Sequence, residues 1–174
     1  MNTANKLTML RIVLIPVYLA VLYIGFPYSN IAAMAIFIIA SLTDVADGYI
    51  ARSRSQVTDF GKFIDPLADK ILVVTAMIWF VEKGVMPGWV ALIVIIREFM
   101  VTALRLVAVG SDRVIAAGLL GKIKTIVTMI CLTAMHLEMQ TWMLYLGFTA
   151  IAITTLLSGI EYFAKNMDVL KMGS

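Results

Sequence analysis

Asp44-Val45-Ala46-Asp47-Gly48-Tyr49-Ile50-Ala51-Arg52 is followed, after eight residues, by Gly61-Lys62-Phe63-Ile64-Asp65-Pro66-Leu67-Ala68-Asp69-Lys70. Asp44 and Asp47 are three apart, and Asp65 and Asp69 are four apart. On helices each pair shares one face. Pro66 needs a first-turn position, which places the start of the second helix at 62–65. A turn of eight to ten residues then joins two antiparallel helices, and four carboxylates meet at one depth. Asp59 lies in that turn, outside the cluster, and is read as solvated.

The rest of the chain says what surrounds the cluster. Of 174 residues, 61% are hydrophobic and 14% charged, and the mean hydropathy is +0.96. A soluble domain carries about 45–50% apolar and about 25% charged residues. A soluble globular protein, a disordered chain and a coiled coil are therefore excluded. Six apolar segments can be drawn, at 7–26, 31–52, 63–82, 87–109, 114–136 and 141–163, each near the ~20 residues that a membrane helix needs. The expected fold is an all-α integral membrane protein of six transmembrane helices in a single domain, 1–172. Gly173-Ser174 reads as a cloning remnant.

Basic residues set the orientation. Lys6 and Arg11 flank the first span, and Arg52, Arg54 and Lys62 fill the 2–3 connection. Arg105, Arg113, Lys122 and Lys124 surround the 4–5 connection, and Lys165 and Lys171 follow the last span. Both termini are expected in the cytoplasm. Tyr23, Phe26, Tyr28, Trp79, Trp89, Trp142 and Tyr145 fall at the proposed outer ends. The net charge of +3 is explained by this sorting, with no basic stripe for a nucleic acid. Cys131 has no second cysteine to bond. His136 lies at an outer loop with no companion ligand in view, and Glu161 is expected to partner a base at a helix end.

Four like charges in a partly dry site repel, and are kept only if cations or protons neutralise them. No His or Cys lies nearby in sequence. An all-oxygen ligand set suits hard cations, Mg²⁺ or Mn²⁺. Four carboxylates exceed what one Mg²⁺ takes from protein, which points to two ions, a recurrent arrangement for phosphate displacement. Gly48 and Gly61 allow close backbone approach, Ala51 keeps the helix face low, and Arg52 offers a fork to a pyrophosphate. The acids alone fit a cation or proton path equally well. That reading leaves Gly48, Ala51 and Arg52 without a role.

The pattern Asp44-x2-Asp47-Gly48-x2-Ala51-Arg52-x8-Gly61-x3-Asp65-x3-Asp69 resembles the signature of the CDP-alcohol phosphotransferase family at all eight fixed positions. Asn5-Lys6-Leu7-Thr8-Met9-Leu10-Arg11 is similar to the start of that family's first helix. The stretches 61–70, 97–105, 121–125 and 158–163 resemble the members that join CDP-diacylglycerol to sn-glycerol 3-phosphate and release CMP. The resemblance implies metal ligation by Asp44, Asp47, Asp65 and Asp69, with Asp69 also as general base. It implies CDP contacts from Gly48, Ala51, Arg52, Gly61 and Lys62, and from Asn5 and Thr8 on the first helix. It further implies a homodimer in a bacterial cytoplasmic membrane, with the site facing the cytoplasm.

An acceptor with a phosphate dianion needs cations beyond those that hold CDP. Arg105 and Lys124 lead, with Arg113 and Lys122 beside them and Arg97 deeper. For Arg113 and Lys122, positive-inside anchoring is an equal explanation; for Arg97, a structural ion pair is. A sibling enzyme with serine, inositol phosphate or phosphatidylglycerol as acceptor would share the acid cluster.

Overall fold

A computed structural model describes residues 3–53, 59–110, 115–116, 118–137 and 139–171. Those residues form six α-helices and no strand: α1 (Thr3–Ile24), α2 (Ser29–Ser53), α3 (Asp59–Glu82), α4 (Gly88–Gly110), α5 (Leu119–Met135) and α6 (Thr141–Lys171). The helices match the six apolar segments but differ at several ends, α1 for instance starting at Thr3. α3 starts at Asp59, ahead of the expected 62–65. An acid at that position suits the positive end of the helix dipole. α5 starts only at Leu119, because Ile115 packs against buried side chains of α4 and α6 and does not continue a helix. α6 runs past 163 to Lys171, with a break at Asn166 (φ −129°, ψ 20°). There Asn166 Nδ2 donates to the Tyr162 carbonyl at 2.7 Å and satisfies the backbone that the break frees.

Leu7–Ile24 and Thr141–Asp168 are long and apolar enough to cross a membrane, and Ser29–Thr43 is a shorter apolar stretch. The outward surface carries large apolar side chains, with Ile24 72% and Phe99 73% exposed. Such a surface suits lipid and not water. Turns between helices use residues that reach positive φ: Gly25 (+67°) ends α1 and Gly84 (+68°) ends α3.

The chain forms two compact units. The first holds Met1–Trp79 with Leu132–Met139. There α1 packs on α2. The buried stripe of α1 is Thr8, Arg11, Ile15, Tyr18 and Leu22, and that of α2 is Ala33, Phe37 and Ala40. Both follow the alternating three- and four-residue steps of a helix seam. In lipid the apolar effect does not drive helices together, so small residues and polar contacts carry the packing. Ala33, Ala40, Ala68 and Ala76 are all buried here. Near the end of α1, the rings of Tyr23 and Trp79 meet edge to face at 4.9 Å.

The second unit holds Phe80–Cys131 with Gln140–Ser174. There α4 packs on α6. Val101, Leu104, Ala108 and Tyr162 form one apolar cluster, joined by Ile115 and Phe163.

His136 lies in the turn after α5, as its place in the sequence suggested, yet it is only 3% exposed. Its Nδ1 lies 2.8 Å from the Leu132 carbonyl, which only accepts, so Nδ1 carries the hydrogen. In the neutral ring Nε2 then accepts from Tyr18 Oη at 2.9 Å. The bond joins the middle of α1 to the end of α5, beside Phe37 of α2. Tyr18→Phe keeps the ring and deletes this bond. It is expected to cost about 1–2 kcal/mol, read as a lower melting temperature of the protein in detergent.

Candidate functional site

The acid cluster falls on two described helices of the first unit. Asp44 and Asp47 lie in α2, and Asp65 and Asp69 in α3. Their side chains, with those of Gly48, Ala51, Arg52, Gly61 and Lys62, lie outside the described residues. Their helical register does not. Ala33, Phe37 and Ala40 form the seam that α2 turns inward, and positions 44 and 47 continue it by steps of four and three. Buried Leu72 and Ala76 define a stripe on α3, and positions 69 and 65 continue that one. The acids thus occupy seam positions, where a carboxylate is kept only with a counter-charge. Among the described side chains no group of three or more His, Cys, Asp or Glu could hold a metal.

On α1, Thr8 is 1% exposed and stands on the seam; Asn5 is one step further along, its side chain outside the described residues. Arg11, read from sequence as a flanking anchor, is fully buried. Its Nε donates to the Ala40 carbonyl at 3.2 Å. Thr43 Oγ1 donates to the same carbonyl at 2.6 Å. A guanidinium therefore grips α2 one turn ahead of Asp44. The three-residue step from Thr8 was the signal for it, since that step puts Arg11 on the same seam.

The candidate acceptor cations belong to the second unit, and the structure sorts them. Lys124 is 5% exposed and stands on the α5 seam with Thr128. Its Nζ donates to Glu98 Oε1 at 2.6 Å. Arg97 Nη1 donates to the same oxygen at 3.0 Å. The seven-residue spacing of Glu98 and Arg105 puts the two on one stripe of α4 as candidate partners, but Glu98 meets Arg97 and Lys124 while Arg105 turns to Tyr162; Arg97 enters the group as an ion-paired side chain. Lys122, two residues before Lys124, points off the seam and is exposed. Arg113 lies outside the described residues. Arg105 sits two turns along α4 from Arg97. Its Nε donates to Tyr162 Oη at 2.9 Å, and its guanidinium carbon is 5.4 Å from the Tyr162 ring centre.

Beside Tyr162 a cavity of about 260 Å³ is lined by Ile115, Ala116, Gly118, Glu161, Lys165 and Asn166. Glu161 pairs with a base, Lys165, as expected, but it does so one turn apart within α6 and not at the helix end. The two charges on this cavity's wall cancel. The enclosed positive charge of the unit lies at Arg97 and Lys124.

A CDP-alcohol phosphatidyltransferase family model matches residues 1–157. The chain belongs to that family. It is 42% identical to a CDP-diacylglycerol–glycerol-3-phosphate 3-phosphatidyltransferase of Bacillus subtilis (strain 168), covering 98% of this chain and 97% of the relative. It is 36% identical to the protein of that name from Escherichia coli (strain K12), over 97% of each. It is 37% identical to a probable phosphatidylglycerophosphate synthase of Mycobacterium tuberculosis (strain ATCC 25618 / H37Rv), over 94% of this chain and 81% of the relative.

The different surroundings of the two lysines give a paired expectation. Lys124→Met removes a charge-assisted bond from an enclosed carboxylate and is expected to cost about 1.5–3 kcal/mol. Lys122→Met changes an exposed side chain and stays within about 0.5 kcal/mol. Thermal melts of both variants in one detergent check the contrast.

Proposed function

We propose that the chain transfers the phosphatidyl group of CDP-diacylglycerol to sn-glycerol 3-phosphate, giving phosphatidylglycerophosphate and CMP. The observation that carries this reading is the eight-position motif, with its four aspartates on seam registers of two helices. Near-full-length likeness to relatives that bear the corresponding names supports it.

An all-carboxylate donor set fits a hard divalent cation. Asp44, Asp47, Asp65 and Asp69 would hold Mg²⁺ or Mn²⁺, as two ions. When bound, the ions neutralise charge on the pyrophosphate and on the departing CMP. Gly48, Ala51, Arg52, Gly61 and Lys62 bind the CDP moiety, with Asn5 and Thr8 reaching it from α1. Asp69 takes the proton from the acceptor hydroxyl. That oxygen attacks the β-phosphorus, which bears diacylglycerol. One oxygen–phosphorus bond forms, the pyrophosphate link breaks, and CMP leaves with the bond's electron pair. Lys124 and Arg105 receive the acceptor's phosphate, with Arg113 and Lys122 as further contributors. The donor's acyl chains stay in the bilayer throughout.

The same reading assigns all six helices to membrane spans, with both termini and the active site on the cytoplasmic side of the cell membrane. The active form is a homodimer.

Purified protein with CDP-diacylglycerol and Mg²⁺ or Mn²⁺ is expected to release CMP with glycerol 3-phosphate and not with serine, inositol phosphate or phosphatidylglycerol. Release with another acceptor alone would overturn the acceptor assignment. Asp69→Asn is expected to lower turnover by about 10²-fold or more, while CDP-diacylglycerol binding persists. Near-normal turnover of this variant would remove Asp69 from the general-base role.

A further inference from the structure

Arg97, Glu98 and Lys124 form an enclosed group of three charges, with side chains 12%, 17% and 6% exposed. One oxygen, Glu98 Oε1, accepts from both cations. Among the described residues, these three side chains sum to a charge of +1. An unbalanced charge in so enclosed a place is costly unless an anion completes it. A second observation points the same way. Arg97 Nε is buried and has no acceptor among the described residues. A buried donor without an acceptor costs free energy, and such exceptions mark places where a ligand or ion belongs. The small neighbours fit as well. A methyl added at Gly121 would lie 3.4 Å from Arg97 Nη2, and one at Gly159 would lie 3.4 Å from Arg97 Cγ. Glycine at 121 lets the guanidinium lie close against α5.

We propose that Glu98 is a positioning residue for the acceptor's phosphate: through one carboxylate oxygen it holds Arg97 and Lys124 together as a basic anion receptor, in which the buried Arg97 Nε–H has no acceptor among the described residues. The proposal rests on the phosphate-bearing acceptor of the functional reading. Its physical logic is a balance. Two cations alone would repel and separate. Two cations with two acids would have no charge left for a substrate. One acid aligns the pair and leaves one positive charge unspent. The forked guanidinium and the ammonium both have N–H groups remaining for phosphate oxygens.

The test is steady-state kinetics of wild type, Glu98→Gln, Glu98→Asp and Gly121→Ala, in detergent, with CDP-diacylglycerol, glycerol 3-phosphate and Mg²⁺. Glu98→Gln is expected to raise KM for glycerol 3-phosphate by about tenfold or more, while KM for CDP-diacylglycerol and kcat at saturating acceptor stay within about threefold. Glu98→Asp keeps the charge on a shorter stem and recovers part of the loss. Gly121→Ala covers Nη2 while favouring the helix, so it is expected to raise the same KM severalfold without lowering the melting temperature. If Glu98→Gln does not fold, Glu98→Asp and Gly121→Ala carry the test. An unchanged acceptor KM in the folded variants overturns the proposal. So does an equal change in every constant with a lowered melting temperature, which marks a purely structural ion pair. The wild-type measurement separates the two readings. Turnover with glycerol 3-phosphate but normal variants overturns this proposal alone, whereas turnover only with an uncharged acceptor overturns the functional reading and this proposal together.

Discussion

A charge on the inward face of an apolar helix has to be matched, and this chain places several there. Glu98 Oε1 is the clearest instance, because one oxygen receives both a guanidinium and an ammonium from α4 and α5. Arg11 solves the same problem differently, by donating to a backbone carbonyl of α2. Neither arrangement is a surface salt bridge of small worth. Each fixes a pair of helices where lipid gives no apolar driving force to do so. The aspartates fall at the corresponding registers of α2 and α3 in the first unit, and four like charges at such positions are the reason to expect cations there.

The two units carry different charges. The first carries the acid motif, with α1 packed along α2, and seam position 8 on the same helix as the Arg11 grip. The second carries the enclosed basic group, set in α4 and α5 near the α4–α6 cluster. A phosphoryl transfer between two phosphate-bearing substrates needs both kinds of charge. On the proposed reading, acids would hold the cations that bind one pyrophosphate, and bases would bind the other phosphate. The polar bond from Tyr18 to His136 gives the first unit an internal tie away from either charge group.

Much of this was legible in the primary structure. Composition fixed the class, since no packed soluble core leaves so much of its apolar surface outward. The three- and four-residue spacing of the aspartates is a helical spacing, and both pairs do fall within helices. The eight motif positions were sufficient to indicate the family. Lys124 and Arg105 were legible as cations on the proposed cytoplasmic side. Helix ends were less legible, because α5 begins only after Ile115 finds a packing site and α6 continues to Lys171 across a break at which Asn166 satisfies a freed carbonyl. Both are tertiary or side-chain events that hydropathy does not register.

What the sequence determined by itself is therefore the helical, apolar character of the chain, the registers of its acids and the reaction class that those residues serve. Periodicity and residue chemistry are local properties, and they survive in any arrangement of the helices. What only the tertiary structure decided is which charges meet. It buried Arg11 and His136, left Lys122 outside while taking Lys124 in, gave Arg105 to Tyr162, and joined Arg97 and Lys124 through Glu98. Residues 98 and 124 are far apart in the chain, and their contact depends on the rotation of one helix against another. That rotation is set by the whole packed seam, and no short stretch of sequence encodes it.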